Sequence, residues 1–336
     1  MTNAAIIGTG FHVPDRVVTN QDLTQWMNTS DEWITERTGI KERRWLEQDD
    51  DGIVVETGAE MGAAAARMAI AEAGIDKSEI DLILYATLSP DVFFPGNGVF
   101  IEDLLGLDTA GAMDIRNQCT GFIYALAAAD GFIKASTART ILVVGQEIQS
   151  TALNLTNKGR DMAVLFGDGA GAAIVQTTEE DRGIIASVLH SQGRYARDLL
   201  GEAPISTIKD RINLEMMAQD RHYPTMNGPM VFKHATRRFC EAIREVLQKG
   251  GKDISDVNLV IPHQANQRIT DAVGTRMGLP EEKVFSNIAK YGNTTAASIP
   301  IALAEAVREG RLQRGDLLVT VAFGSGFTWG ANLIRW

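Results

Sequence analysis

The chain has 336 residues, 45% of them hydrophobic and 22% charged, with a formal net charge of −11. This suits a globular protein of about two domain-sized units with a large core, and the acidic balance argues against a general nucleic-acid binder. Two cysteines are too few for a disulfide scaffold, and no Cys/His pattern has zinc spacing, so no metal site is expected.

The start, MTNAAIIGTGFHVPDR, has no basic segment followed by a long apolar one, and no run of about 18 apolar residues occurs anywhere. The expectation is a cytoplasmic protein with no membrane partner. Along the chain, AAIIGTG (4–10) reads as a strand and TGAEMGAAAARMAIAEAG (57–74) as a buried helix. DLILYAT (81–87), TILVVGQE (140–147) and MAVLFGDGAGAAIVQ (162–176) read as further strands.

The alternation restarts near residue 226. VFKHATRRFCEAIREVLQKG (231–250) places Phe239, Ile243, Val246 and Leu247 at helical spacing. VNLVIPH (257–263) reads as a strand, followed by a helix near 295–308 and strands at 316–326 and 329–336. Strands alternating with helices predict an α/β fold.

The two halves resemble each other. GIDKSEIDLILYA (74–86) lies over GKDISDVNLVIPH (251–263) at an offset of 177, and TILVVG (140–145) over DLLVTV (316–321) at 176. A duplicated fold is therefore expected, with an N-terminal half at 1–176 and a C-terminal half at 226–336. Residues 177–225 would be a connecting or capping segment, since long irregular loops often cover sites.

In that register Cys119 falls roughly opposite Asn293, and His263 ends its strand as Ala86 ends the counterpart. Strand ends of this kind converge where α/β sheets bind ligands. A thiol at a helix N-terminus is expected to favour the thiolate. His and Asn side chains can donate to a developing enolate or oxyanion, as can the backbone of FGSG (323–326). Read singly, each residue also has a plain structural reading. Cys119 suits a small buried hydrophobe, His263 a satisfied polar group, and Asn293 an N-cap. Cys240, in mid-helix, reads as structural. GTGFHV (8–13) starts like a dinucleotide fingerprint but has Val13 in place of the third glycine and Pro14 after it.

CTGF, GDGAGAA, PHQANQRI, YGNTTAAS and FGSGFTWGA occur in that order. Through these motifs the chain resembles the β-ketoacyl-[acyl-carrier-protein] synthase III family of thiolase-fold condensing enzymes, over essentially its full length. The resemblance implies a homodimer with a five-layered α-β-α-β-α core. It also implies a ping-pong acyltransferase that condenses an acyl-CoA primer with malonyl-acyl carrier protein, with coenzyme A thioesters as substrates and no cofactor. By motif, Cys119 is the acyl acceptor, His263 and Asn293 stabilise the enolate, and the backbone N–H groups of Cys119 and Ser325 form the oxyanion hole. Trp33, Arg37, Arg160, Gly228, Phe232 and Asn266 match coenzyme A and pantetheine positions, and Lys233 and Arg268 match carrier-docking positions. Arg237, Arg238 and Arg244 make the helix around Lys233 locally basic, which suits an acidic carrier.

The chain departs from the family pattern at Asn117 and Gln118, at Ser325, in DVFFPGNGVF (91–100) and in a longer 193–225 segment. These departures predict a divergent member that takes an acyl group other than acetyl. The competing readings are a non-decarboxylating condensation, for which 86–100 offers Asp91 but no Glu, and acyl transfer to another acceptor. A silent partner subunit is a third, disfavoured because the cysteine is present.

Overall fold

The computed structural model describes residues 3–336. Its first sheet contains β1 (Asn3–His12), β2 (Leu82–Ala86), β3 (Gly111–Ile115), β4 (Thr140–Glu147) and β5 (Gly169–Thr178), in the order β1-β5-β4-β2-β3. The second contains β6 (Gly183–Ser191), β7 (Leu259–Pro262), β8 (Leu317–Gly324) and β9 (Thr328–Arg335), in the order β7-β8-β9-β6. The main helices are α1 (Asp31–Thr38), α2 (Gly58–Ala73), α3 (Asn97–Leu105), α4 (Gly121–Lys134), α5 (Gly228–Lys249), α6 (Gln267–Met277) and α7 (Ser298–Arg308).

The layers follow from which faces are apolar. α4 and α7 lie between the sheets: Phe122, Leu126, Ile133, Ile299 and Leu303 share one core with Val143 and Val175 of the first sheet and Ile261 and Leu318 of the second. α2 and α3 cover the outer face of the first sheet through Met61, Ala69, Ile101 and Leu105. α5 and α6 cover the second through Phe239, Ile243, Val246 and Val273. Five layers result, α-β-α-β-α. Every residue of β4 and β8 is buried, which is why these central strands read as continuous apolar runs rather than alternating ones.

Small residues set the spacing of the layers. A Cβ on Gly8 or Gly10 of β1 would stand 2.3 or 2.2 Å from the Ala69 or Ala65 carbonyl oxygen, so the Ala-rich face of α2 rests directly on that strand. Thr57 and Glu60 form a capping box at its start, and Gly74, at φ +67°, ends it.

The duplication is real and more regular than the sequence match alone shows. Leu82 and Leu259 begin equivalent strands 177 residues apart, and Gly121 and Ser298 begin equivalent helices at the same offset. Each helix is preceded by a single 3₁₀ turn, Gln118–Thr120 or Thr295–Ala297, whose first residue has positive φ (+46° and +43°). In this register Cys119 pairs with Ala296, so the expected equivalence of Cys119 with Asn293 is off by three residues.

Three sequence readings are corrected. The strand expected at 162–176 starts only at Gly169, because Arg160–Ala163 forms a helical turn. The segment 177–225 is not all connection, since 183–191 is a strand of the second sheet, hydrogen-bonded along its length to β9. The excursion proper runs from 192 to 227. It contains a short hairpin pairing Leu199–Leu200 with Thr225–Met226 and one helical turn, Leu214–Ala218. The edge strand β3 falls on the strand-like run that ends before Cys119, although it is short and mostly exposed. In the second sheet only an isolated parallel bridge, Val260 to Val284, stands where a fifth strand would be.

Candidate active site

A cavity of about 290 Å³ runs inward from Trp33, Arg37, Gly228, Phe232 and Asn266 to Cys119, His263 and Asn293 at its floor. The three come from different elements. Cys119 sits in the 3₁₀ turn before α4, His263 follows β7, and Asn293 precedes the matching turn before α7. All three are buried, with the cysteine 8% exposed. The sequence expectation that these residues meet is met in this fold.

The nucleophile turn is tightly held. Asn117 Nδ2 donates to Thr120 Oγ1 (2.8 Å), which pairs with Thr328 Oγ1 (2.8 Å), and Thr328 Oγ1 donates to the Ser325 carbonyl (3.1 Å). Asn117 is therefore a brace between the cysteine turn and the glycine-containing turn. Gly324 lies against the cysteine, and a Cβ there would be 2.9 Å from Cys119 Cβ. Ser325 Oγ donates to the Leu199 carbonyl at 2.5 Å and so ties the excursion hairpin to this turn.

The expected thiolate is corrected. Burial pushes the Cys119 thiol up to about 12, and the nearby carboxylate of Glu147 adds to the rise. Desolvation outweighs what a helix N-terminus supplies, and the resting group is a thiol. His263 is pushed down to about 3 by burial, so its ring is neutral. Its Nδ1 pairs with Ser298 Oγ at 2.6 Å, and the same oxygen accepts the Gln264 N–H at 3.4 Å. With the hydroxyl donating to Nδ1, the imidazole keeps its hydrogen on Nε2. Asn293 Oδ1 accepts the Thr295 N–H at 2.9 Å, which leaves its Nδ2 hydrogens for the cavity.

At the mouth, the Trp33 ring lies between two guanidinium groups, with Arg37 at 4.5 Å and Arg160 at 4.4 Å from its centroid. Arg160 also donates to the Asn28 carbonyl and does not line the cavity itself. Asn266 Nδ2 donates to the Arg37 carbonyl at 2.9 Å and caps α6 with its other atom, so one residue fixes two walls. Arg268 reaches over Phe232, 5.6 Å from its centroid. Lys233 borders a separate groove with Arg237, Arg244 and Arg276. Arg238 does not join that basic face; it packs on Trp329, 4.3 Å from the ring centroid, and bonds Glu241.

Sequence reasoning missed Ser298 and Glu147. The acid sought in 86–100 is misplaced: Asp91 caps α2 through the Gly58 and Ala59 N–H groups, and the carboxylate beside Cys119 comes from the end of β4. The signal was the acidic residue closing the otherwise uncharged TILVVGQE.

The family described as 3-oxoacyl-[acyl-carrier-protein (ACP)] synthase III matches residues 113–193, and its C-terminal counterpart matches 247–336. A β-ketoacyl-[acyl-carrier-protein] synthase III from Rhodospirillum centenum is 43% identical over 337 residues, covering 99% of each chain. One from Aquifex aeolicus is 44% identical over 331 residues, covering 98% of this chain and 99% of its own. The solved 3-oxoacyl-[acyl-carrier-protein] synthase III structure from Aquifex aeolicus superposes with a TM-score of 0.89 at 44% identity, covering 99% of this chain and 100% of that one. The solved enzyme from Thermus thermophilus gives 0.88 at 38% identity, covering 99% of both chains. With its duplicated α/β fold and a Cys-His-Asn floor, this chain belongs to the 3-oxoacyl-[acyl-carrier-protein] synthase III family.

Proposed function

We propose that the protein performs a decarboxylative Claisen condensation of an acyl-CoA primer with malonyl-acyl carrier protein, through an acyl-Cys119 intermediate. The observation that supports this best is the convergence of a buried thiol, a neutral imidazole and a free carboxamide at the end of one apolar tunnel.

In the first half-reaction Cys119 sulfur attacks the acyl-CoA carbonyl. The thiol proton leaves with coenzyme A, and backbone N–H groups of Cys119 and Ser325 hold the oxyanion. In the second, the malonyl carboxylate leaves as CO₂. The electron pair enters the thioester carbonyl, whose oxygen His263 Nε2–H and Asn293 Nδ2–H stabilise. A neutral histidine suits this role, because it donates without itself losing a charge-stabilised proton. The enolate carbon attacks acyl-Cys119, and the expelled thiolate takes up one proton from solvent to restore the resting thiol. The cycle consumes one proton and releases one CO₂ and one coenzyme A for each ketoacyl product.

At the mouth, Trp33 and the two arginines supply a stacking platform and positive charge for the nucleotide end of coenzyme A. Lys233 and Arg268 are proposed to receive the acidic carrier. The two cysteines are both unpaired, which suits a reducing compartment such as the cytoplasm. Among the described residues no helix is long and apolar enough to cross a membrane.

Incubating the protein with a panel of acyl-CoAs and reading its intact mass tests the first half-reaction. One acyl group is expected on the peptide carrying Cys119, and malonyl-acyl carrier protein is then expected to release one CO₂ per acyl group consumed. Product formation without CO₂ would instead favour non-decarboxylating condensation.

A homodimer is proposed from the edge of the first sheet. β3 pairs only with β2, and its Met113 is 40% exposed. Beside it the loop after β2 is pinned by Asp91, Asn97 and Asp114 and projects Phe94, which is 76% exposed. An open strand edge next to an apolar finger is costly in a monomer. Phe94→Asp is expected to weaken self-association at least about tenfold, ~1.4 kcal/mol, by sedimentation.

A further inference from the structure

The excursion at 192–227 grips the turn between β8 and β9. At its start the Gln192 N–H donates to the Phe327 carbonyl at 2.7 Å, and the Phe327 N–H donates back to the Gln192 carbonyl at 3.3 Å. Three residues on, Tyr195 stacks on the Phe327 ring with 5.2 Å between centroids. The first strand of the hairpin then accepts the Ser325 hydroxyl at the Leu199 carbonyl, at 2.5 Å. Leu199 pairs with Met226 across the hairpin, and both line the cavity. On its other side the same turn is joined to the nucleophile. The Ser325 carbonyl accepts Thr328 Oγ1, which pairs with Thr120 Oγ1 next to Cys119. Ser325 thus has its carbonyl bonded toward the cysteine turn and its side chain bonded to the cavity wall.

We propose that Ser325 is a positioning residue through its side chain: the hydroxyl, bonded to Leu199, couples the hairpin that walls the cavity to the oxyanion donor on the Ser325 backbone. The proposal rests on Cys119 as the acyl acceptor and on that N–H as a donor. The turn has a physical need for such a tie. Gly324 and Gly326 flank Ser325, and Gly326 stands at φ +134°, so the backbone alone leaves the donor many conformations. An oxyanion donor acts only when held to within about 0.5 Å of its productive place. The hairpin, two residue pairs long, is weak by itself and gains its order from the contacts it makes. Turn and hairpin therefore order each other. Both half-reactions pass through a tetrahedral centre at the Cys119 sulfur, so both draw on this one donor.

Ser325→Ala keeps the N–H and removes the tie. From a panel of acetyl- to decanoyl-CoA, the thioester that labels Cys119 fastest is used for single-turnover acylation. The rate at saturation is expected to fall about tenfold, because a misplaced group costs rate. The half-saturating concentration is expected to move by less than about threefold. A hairpin that only shapes the tunnel gives the opposite split, a raised half-saturating concentration with the saturated rate unchanged, and that result overturns the proposal. Hydrogen exchange gives a second reading in the wild-type enzyme alone. Coupling is reciprocal, so placing the acyl-Cys119 carbonyl on the donor is expected to slow exchange in the hairpin at least about fivefold. The reporter is the Asn227 N–H, which donates to the Asp198 carbonyl at 2.7 Å. In Ser325→Ala the slowing is expected to vanish. Unchanged exchange in the acylated wild type overturns the proposal, even if the variant does not fold, and so does slowing that persists in the variant. Absence of any acyl group on wild-type Cys119 would instead count against the acyl-acceptor reading, so the two failures are distinct.

Discussion

Cys119→Ala is expected to lose the acyl adduct entirely and to reduce condensation at least about a thousandfold. The reason is geometric. Cys119 carries the only thiol among the residues lining the cavity, and the residues around it, Phe166, Phe323 and Gly324, have no replacement to offer. The same variant keeps His263 and Asn293 in place, since their hydrogen bonds run to Ser298 and Thr295 rather than to the cysteine. It is therefore expected still to release CO₂ from malonyl-acyl carrier protein. Intact mass and CO₂ release, measured on one preparation, check both halves of this expectation. Loss of both would point to a collapsed site.

The complementary result is expected for His263→Ala and Asn293→Ala. Each removes one donor to the enolate oxygen, in a pocket too dry for water to substitute fully. A fall of about 10² to 10³ in decarboxylation is expected for each. The double variant should fall by less than the product, because the two donors serve one oxygen. The hydrogen bonds of both residues run to Ser298 and Thr295 rather than to the cysteine, so single-turnover acylation of Cys119 is expected to change by less than about tenfold. A parallel loss of acylation in both variants would mean that they act on the thiol rather than on the enolate.

The central strands and helices were legible in the sequence because they are buried on both faces and read as unbroken apolar runs. The edge strand β3 was legible only as a strand-like run before Cys119 without bounds: GAMDI is short and mostly exposed, so burial leaves no periodic mark on it. β6 was hidden because it adjoins the irregular excursion and alternates only partly. The three floor residues were legible through their motifs. Their supports Ser298 and Glu147 were not, because they act through contacts between segments distant in sequence. Cys119 itself shows the limit of local reasoning: a helix N-terminus argues for a thiolate, yet burial and a carboxylate from another strand argue more strongly for a thiol.

The unequal sheets have a consequence for how copies can join. A chain built from two like halves inherits two equivalent borders, and two open borders would let molecules add without end. Here the first border, β3, is bare. The second is occupied by the chain itself, where Val284 bridges to Val260 and the Phe285 N–H donates to the Val260 carbonyl at 2.9 Å. With the β3 pairing proposed above, growth at this pair of borders would stop at two, because the second border is already taken by its own chain.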